Sequence, residues 1–522
     1  MSRFRRLIHS VAAGYAVLIA TAFYALASVP IALHYLTTRE FGLWALMSTI
    51  AGYLSLIDLG LSSSVGRLLI DYKDQREQGT YGSLIQTGWL VLAVQGFIIF
   101  LVAFALAPLF CNLMAIDQDL RSVFIALLRW QGVILAVNFT LRIFSQVLQA
   151  HQRIDVLNYG QIASLFVSLA SLWFFFSLGQ KVFSLAYAML LSNCTNAIFC
   201  LVGCARLKLF PPAGTWGRAS WKYFREMFSY GKDLFLVSVG NQIIVASQIM
   251  LITRRLGLEA ATAWNIGTRT YTLLFQATMR IGVYSLPALS EMIVRGEEAK
   301  LKERFRDVVI LSASLAAYVA ISFALCNSAF VEVWTGLSKG KTMYWPQQND
   351  LLLGLWMVVL TILGCHNNFV LITKQIRLMP ILYFIEGSVF VVLAWFASAW
   401  GGLPALIACS VFCSCVFTYA YGAHRTSQYF HLPITDVTGV WLLPMLKLIA
   451  FYGLLALPLG FAVHSLPVLP RLVILSAFSG TAGLAMLLKF GLPAGLRDEI
   501  LVHSPGFVSP VIRNLFKTAR SP

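Results

Sequence analysis

The chain has 522 residues, 58% of them hydrophobic and only 12% charged, with a formal net charge of +17. A mean hydropathy of +0.76 leaves more apolar surface than a soluble core can hide, so a soluble globular class is excluded. The pI of 9.6 does not signal nucleic acid, because the basic residues are scattered over short breaks between apolar runs and form no binding module.

At the start of the chain Arg3, Arg5 and Arg6 precede an apolar run, and Ala25-Leu26-Ala27 imitates a secretory cleavage box. The run from Val11 to Leu36 exceeds the roughly 7–15 apolar residues of a signal peptide, so it reads as a first membrane span. About 20 apolar residues cross the hydrocarbon layer. By that measure spans fall near 11–36, 42–65, 84–108, 122–148, 158–179, 183–205, 230–252, 260–287, 309–332, 350–373, 378–399, 404–422, 441–463 and 472–488. Barrel strands would alternate apolar and polar residues, whereas these runs are apolar around most of a helix. The fold class expected is an all-α polytopic membrane protein with about 14 transmembrane helices. If the N-terminus is cytoplasmic, most of the 39 Lys and Arg fall on the cytoplasmic side, so both termini are expected there. The heaviest basic load is Arg206, Lys208, Arg218, Lys222 and Arg225 in the connection after span six, and Lys489, Arg497, Arg513, Lys517 and Arg520 in the tail.

Thr38-Arg39-Glu40-Phe41-Gly42-Leu43 and Thr253-Arg254-Arg255-Leu256-Gly257-Leu258 share the pattern T-R-x-[FL]-G-L, each in a short turn between apolar segments. The bundle is thus written twice, as in transporters built from paired repeats. Setting the copies in register gives an N-lobe over 1–205 (spans one to six), a cytoplasmic linker over 206–229 and a C-lobe over 230–422 (spans seven to twelve). Residues 423–522 hold spans thirteen and fourteen, read as an appendage, and a cytoplasmic tail.

Charges at bilayer depth are costly and mark functional candidates. In span four, Gln131, Asn138, Arg142, Ser145 and Gln149 share a stripe about 60° wide, with Arg129 on the opposite side. In span eight, Thr262, Asn265, Arg269, Thr272, Gln276 and Arg280 share another. Two arginines on one seam with amides between them favour a wet cavity over snorkelling, and guanidinium groups suit a substrate bearing phosphate or pyrophosphate. Candidate substrate-binding residues are therefore Arg142, Arg269, Arg280, Asn138, Gln276 and Asn265. Asp58 in span two, with Ser55 and Ser62 on its face, either binds a coupling ion or neutralises an arginine, and Glu386 in span eleven has no visible partner. Lys232 and Asp233, opening span seven, read as interface anchors. The nine cysteines sit in apolar runs without interleaved histidine or carboxylate, so neither a disulfide framework nor a metal site is expected.

Phe41-Gly42-Leu43-Trp44, then Tyr53-Leu54-Ser55-Leu56-Ile57-Asp58-Leu59-Gly60-Leu61 and Arg67, resemble the opening of Wzx-type polysaccharide and O-antigen flippases. These belong to the multidrug, oligosaccharidyl-lipid and polysaccharide (MOP) exporter superfamily. Tyr230-Gly231-Lys232, Leu256-Gly257 and Leu286-Pro287-Ala288-Leu289-Ser290 are similar to that family's second-lobe pattern. The resemblance implies two six-helix lobes around a central cavity plus two C-terminal helices, in a bacterial inner (plasma) membrane. It implies translocation of an undecaprenyl-pyrophosphate-linked oligosaccharide by alternating access, with no cofactor beyond a coupling H+ or Na+. The partners it implies are the lipid-linked oligosaccharide and membrane lipids, with other polysaccharide-assembly membrane proteins as a further option. The alternatives are a drug or metabolite-cation antiporter and, further off, a membrane glycan polymerase or ligase. The loops are too short for a catalytic domain and show no nucleophile constellation or P-loop, so a non-enzyme is expected.

Overall fold

The computed structural model describes residues 3–58, 60–72, 79–337, 342–373, 378–493 and 496, with the side chains of 3–13, 15, 63, 230–238, 240, 241, 244, 245 and 287 excepted. Its helices are α1 (Arg3–Tyr35), α2 (Thr38–Leu54), α3 (Leu61–Tyr72), α4 (Thr80–Leu113), α5 (Gln118–Ala150), α6 (Ile154–Ser177), α7 (Phe183–Arg206) and α8 (Trp221–Gly267). There follow α9 (Arg269–Arg295), α10 (Glu298–Gly336), α11 (Gln347–Ile372), α12 (Met379–Ser414), α13 (Ala420–Tyr429), α14 (Ile434–Thr438), α15 (Leu443–Ala462), α16 (Val468–Phe478) and α17 (Leu484–Met486). No strand occurs among the described residues.

Eleven helical stretches among the described residues are long and apolar enough to cross a membrane. One of them, Met379–Tyr429, breaks at Gly402 and is long enough for two crossings. Spans seven and eight lie on α8 and α9, where arginines 254, 255, 269 and 280, among others, make them less apolar. The chain is therefore an all-α polytopic membrane protein with about 14 crossings. The fold follows from the solvent: in hydrocarbon every backbone N–H and C=O must be satisfied within the segment, and a helix does so.

The chain divides into two compact units, Met1–Thr262 and Ala263–Pro522. By its contacts most of α8 groups with the first unit, whereas the sequence repeat assigns span seven to the second lobe. Within the first unit α4 pairs with α5, α6 with α7, and α1 with α6. The turn into α2 is set by a capping box: the Thr37 hydroxyl accepts from the Glu40 N–H at 3.2 Å, and the Glu40 carboxylate accepts from the Thr37 N–H at 2.8 Å. The two copies of the repeated motif meet in this unit. Gly42 of the first lies so close to the second that a Cβ would collide with the Leu258 carbonyl, and the Thr262 hydroxyl donates to the Thr38 carbonyl. Gly257 of the second copy has φ 89° and turns α8 through a corner.

In the second unit α10 is the central element, packed by α9, α11, α15 and α16. Phe305 on α10, Phe369 on α11, Phe430 and Trp441 form one aromatic cluster, the Phe305 and Phe369 rings 4.3 Å apart. Spans thirteen and fourteen are part of this core: Leu448, Tyr452 and Ala456 of α15 are buried with α10, and the Tyr452 and Ser322 hydroxyls bond at 3.0 Å. Arg471 on α16 reaches Glu332 on α10 at 3.4 Å.

Lipid offers no hydrophobic force to hold helices together, so close approach of small residues has to. Gly42→Val is expected to prise α8 from α2 and lower stability by about 1–3 kcal/mol, the usual cost of overpacking. Thermal unfolding in detergent checks this, with membrane insertion unchanged.

Candidate substrate-binding site

Span two is broken. After α2 the chain makes a tight turn over Ser55–Asp58, passes Gly60 at φ 72°, and restarts as α3. The sequence dictates the restart: Asp58 Oδ1 accepts from the Ser62 N–H at 3.1 Å and from the Ser62 hydroxyl at 2.6 Å, capping α3 with a carboxylate. Gly60 supplies the left-handed residue the turn needs. Breaking a helix frees carbonyls, and Gln95 on α4 takes two of them: its Nε2 donates to the Ile57 oxygen at 3.0 Å and to the Asp58 oxygen at 2.8 Å.

Arg142 on α5 meets the restart. Its Nη1 donates to the Ser62 hydroxyl at 3.0 Å, its Nη2 to Asn138 Oδ1 at 3.3 Å, and its guanidinium lies 4.2 Å from the Phe139 ring centre. Ser62 thus accepts from Arg142 and donates to Asp58, linking the two charges through one hydroxyl. Arg142, Asn138 and Ser145 line a polar cavity of about 170 Å³, closed on the α7 side by Asn193 and Asn196. These two asparagines and Gln95 escaped the sequence reading. A lone amide inside an apolar run was the available signal for each.

The rest of the span-four stripe goes elsewhere. Gln131 is buried, with its Nε2 3.8 Å from the Met189 sulfur, and Gln149 is exposed. Arg129 lies over the Phe104 ring at 4.2 Å, away from the cavity, as its opposite position on the helix implied.

The span-eight stripe is interrupted. Thr262 is buried in its bond to Thr38, within the first unit. Asn265 precedes a one-residue interruption at Thr268, and Arg269 opens α9 just after it. Asn327 on α10 pins this interruption: its Nδ2 donates to the Gly267 carbonyl at 3.0 Å and to Asp350 Oδ1 at 2.8 Å, and its Oδ1 accepts from the Thr270 hydroxyl. Trp345, packed on the bare face of Gly267, donates its indole N–H to the same Asp350 oxygen at 2.6 Å. Beyond it Arg269 and Arg280 are half-buried, Thr272 and Gln276 are exposed, and Arg280 donates to the Tyr284 hydroxyl at 2.8 Å. Arg269 and Arg280 therefore share one helix, while Arg142 belongs to the first unit.

Of the two acidic candidates, Asp58 is the helix cap that faces Arg142 through Ser62. Glu386 on α12 is buried in the second unit, where Ser414 donates to its Oε1 at 2.9 Å. Ser414 immediately precedes a wide turn of helix over Cys415–Tyr419. The side chains of Lys232 and Asp233 lie outside those described.

Residues 34–338 match the model of a family described as polysaccharide biosynthesis protein. No curated protein matches the sequence. In fold the chain is similar to the lipid II flippase MurJ in an inward closed conformation, with a TM-score of 0.68 at 10% identity over 91% of this chain and 99% of that one. It is similar also to an inward-facing multidrug resistance MATE family transporter of the MOP superfamily, with a TM-score of 0.67 at 12% identity over 78% and 95%. A MOP superfamily transporter from Pyrococcus furiosus follows at 0.52 and 12%, over 81% and 96%.

Gln95→Leu should leave the Ile57 and Asp58 carbonyls without their amide and destabilise the first unit by about 1–3 kcal/mol. The measurement is thermal unfolding of purified protein beside Gln149→Leu, an exposed control expected to unfold like the wild type.

Proposed function

Because the chain belongs to the polysaccharide biosynthesis protein family and has the fold of MOP superfamily transporters, we propose that it is a flippase for a lipid-linked oligosaccharide. In this reading it moves an undecaprenyl-pyrophosphate-linked glycan from the inner to the outer leaflet of a bacterial plasma membrane, with both termini cytoplasmic. The lobes act by alternating access, drawing on an H+ or Na+ gradient. It is a transporter in this reading, not a glycan polymerase or ligase.

The observation that carries the proposal is the polar cavity around Arg142 at bilayer depth. A guanidinium has five N–H donors, and Arg142 commits two of them to Ser62 and Asn138, so donors are left for the oxygens of a phosphate. Asn193 and Asn196 add amide donors across the cavity. Asp58 holds the guanidinium in place when the cavity is empty and limits the cost of burying a lone cation. In the second unit Arg269, Gln276 and Arg280 of α9, with Asn265 before the interruption at Thr268, are the residues proposed for the same class of ligand. Glu386, which forms none of the ion pairs seen among the described residues, is the better candidate for the coupling ion, and Asp58 for charge pairing.

Loss of the protein should leave lipid-linked glycan on the cytoplasmic leaflet, where a membrane-impermeant probe applied to inverted vesicles labels it. Arg142→Ala, Arg269→Ala and Arg280→Ala should each reduce transport at least tenfold, the scale of a lost charge-assisted contact of about 1.5–3 kcal/mol. Insertion and unfolding temperature should stay near those of the wild type. Full transport in all three variants overturns the reading, and unchanged glycan with altered drug export would replace it with an antiporter.

A further inference from the structure

A second feature of the first unit is apolar and lies on the other side of the break in span two. The connection before α8 is fastened across the start of α4: the Arg218 N–H donates to Ser83 Oγ at 3.1 Å, the Ser220 N–H to Thr87 Oγ1 at 3.0 Å, and Trp216 packs on the bare face of Gly82. From that anchor α8 departs with Trp221, Phe224 and Phe228 at positions i, i+3 and i+7, so that all three fall on one face. The Trp221 and Phe224 rings stand 4.7 Å apart. This face and the exposed row Leu90, Val94 and Ile98 of α4 enclose a crevice of about 420 Å³, floored by Ile57 and Leu61 of the broken turn.

Three properties say what belongs there. Its length from Thr87 to Ile98 along α4 is about 16 Å, half of a hydrocarbon core of about 30 Å, so it accommodates a chain confined to one leaflet. Next in sequence to its lining residues Ala219, Trp221 and Phe224 stand Arg218, Lys222 and Arg225, all exposed and none in an ion pair among the described residues, with Lys222 Nζ 5.9 Å from the Tyr223 ring centre. Trp221 at the same level is 68% exposed, as befits a ring in the headgroup layer. We propose that this crevice binds one acyl chain of an anionic phospholipid of the basic-side (cytoplasmic) leaflet, with the phosphate held by Arg218, Lys222 and Arg225. A zwitterionic lipid offers these cations no net charge, and a long polyprenyl chain overruns a crevice one leaflet deep. The occupant rests against Ile57 and Leu61, on the turn whose Ser62 holds Arg142, so the site is placed to stabilise that turn.

The site is independent of the transported substrate, and its test needs no transport assay. The purified full-length protein is loaded with phosphatidylglycerol or phosphatidylcholine of identical chains and examined by native mass spectrometry. In parallel, Trp fluorescence is quenched by chain-brominated versions of both lipids. The wild type should prefer phosphatidylglycerol by roughly tenfold or more, given three cations at the headgroup. Arg218→Gln with Lys222→Gln and Arg225→Gln should erase the preference, and Val94→Trp, which fills the crevice, should reduce retention of both lipids. Equal retention of the two lipids by the wild type, or an undiminished preference in the triple variant, overturns the proposal. So does displacement of phosphatidylglycerol by an equimolar polyprenyl phosphate, which would reassign the crevice to the carrier lipid. If the triple variant fails to fold, Val94→Trp and the wild-type competition decide the question alone.

Discussion

The constraint on which the rest of this structure depends is that a backbone carbonyl at bilayer depth must find a donor. A continuous helix meets it internally, and two of the breaks among the described residues fall at comparable distances after the two motif copies. Ser55 and Gly267 lie 17 and 14 residues after the first threonine of their motif copies, and at each the helix is interrupted. In each case the donor comes from the next crossing in the chain: Gln95 on α4 for the first, Asn327 on α10 for the second. The repeat seen as six residues of sequence is thus also a repeat of a physical device, in which an amide inside an otherwise apolar helix makes a break in its neighbour affordable.

The breaks position the charges. At the first, the restart of α3 needs a cap, Asp58 supplies it, and the resulting carboxylate is what allows Arg142 to remain in a membrane-depth cavity. The Ser62 hydroxyl passes the interaction from one to the other, so the geometry of the turn and the orientation of the guanidinium are not independent. At the second, Arg269 is the residue that opens α9, while the Asn327, Asp350 and Trp345 network fixes the segment before it. A buried cation is costly in proportion to its isolation. Arg142 is compensated through a hydroxyl rather than by direct ion pairing, which holds it in place yet leaves donors for a ligand.

Much of this was legible in the residues. Hydropathy pointed to about 14 crossings, of which eleven helical stretches among the described residues are long and apolar enough by themselves while α8 and α9 are not, and the repeated motif marked the two corners that turn out to touch. The face arithmetic for span four put Asn138, Arg142 and Ser145 together, and they line one cavity. It failed further along each stripe for a definite reason. A wheel assumes an unbroken helix and says nothing about neighbours: Thr262 is spent on Thr38, Gln131 is buried beside Met189, and the span-eight stripe changes course at Thr268. Asn193, Asn196, Gln95 and Asn327 were invisible to that method because their significance lies in a partner on another helix. Spans thirteen and fourteen looked like an appendage because they lie outside the repeat, but hydropathy carries no information on packing, and Tyr452 places α15 in the core around α10.

Glu386 and Asp58 show how environment separates two residues that the sequence could only rank together. Asp58 sits at a helix start, where the exposed N–H groups and the macrodipole favour a negative charge, and it has a cation within reach through Ser62. Glu386 sits two turns into α12 with neutral hydroxyl company, next to a wide helical turn over Cys415–Tyr419 that interrupts the regular spacing of the neighbouring segment. In the proposed function the two acids take different parts: Asp58 keeps Arg142 oriented through Ser62, and Glu386 is the acid assigned to the coupling ion.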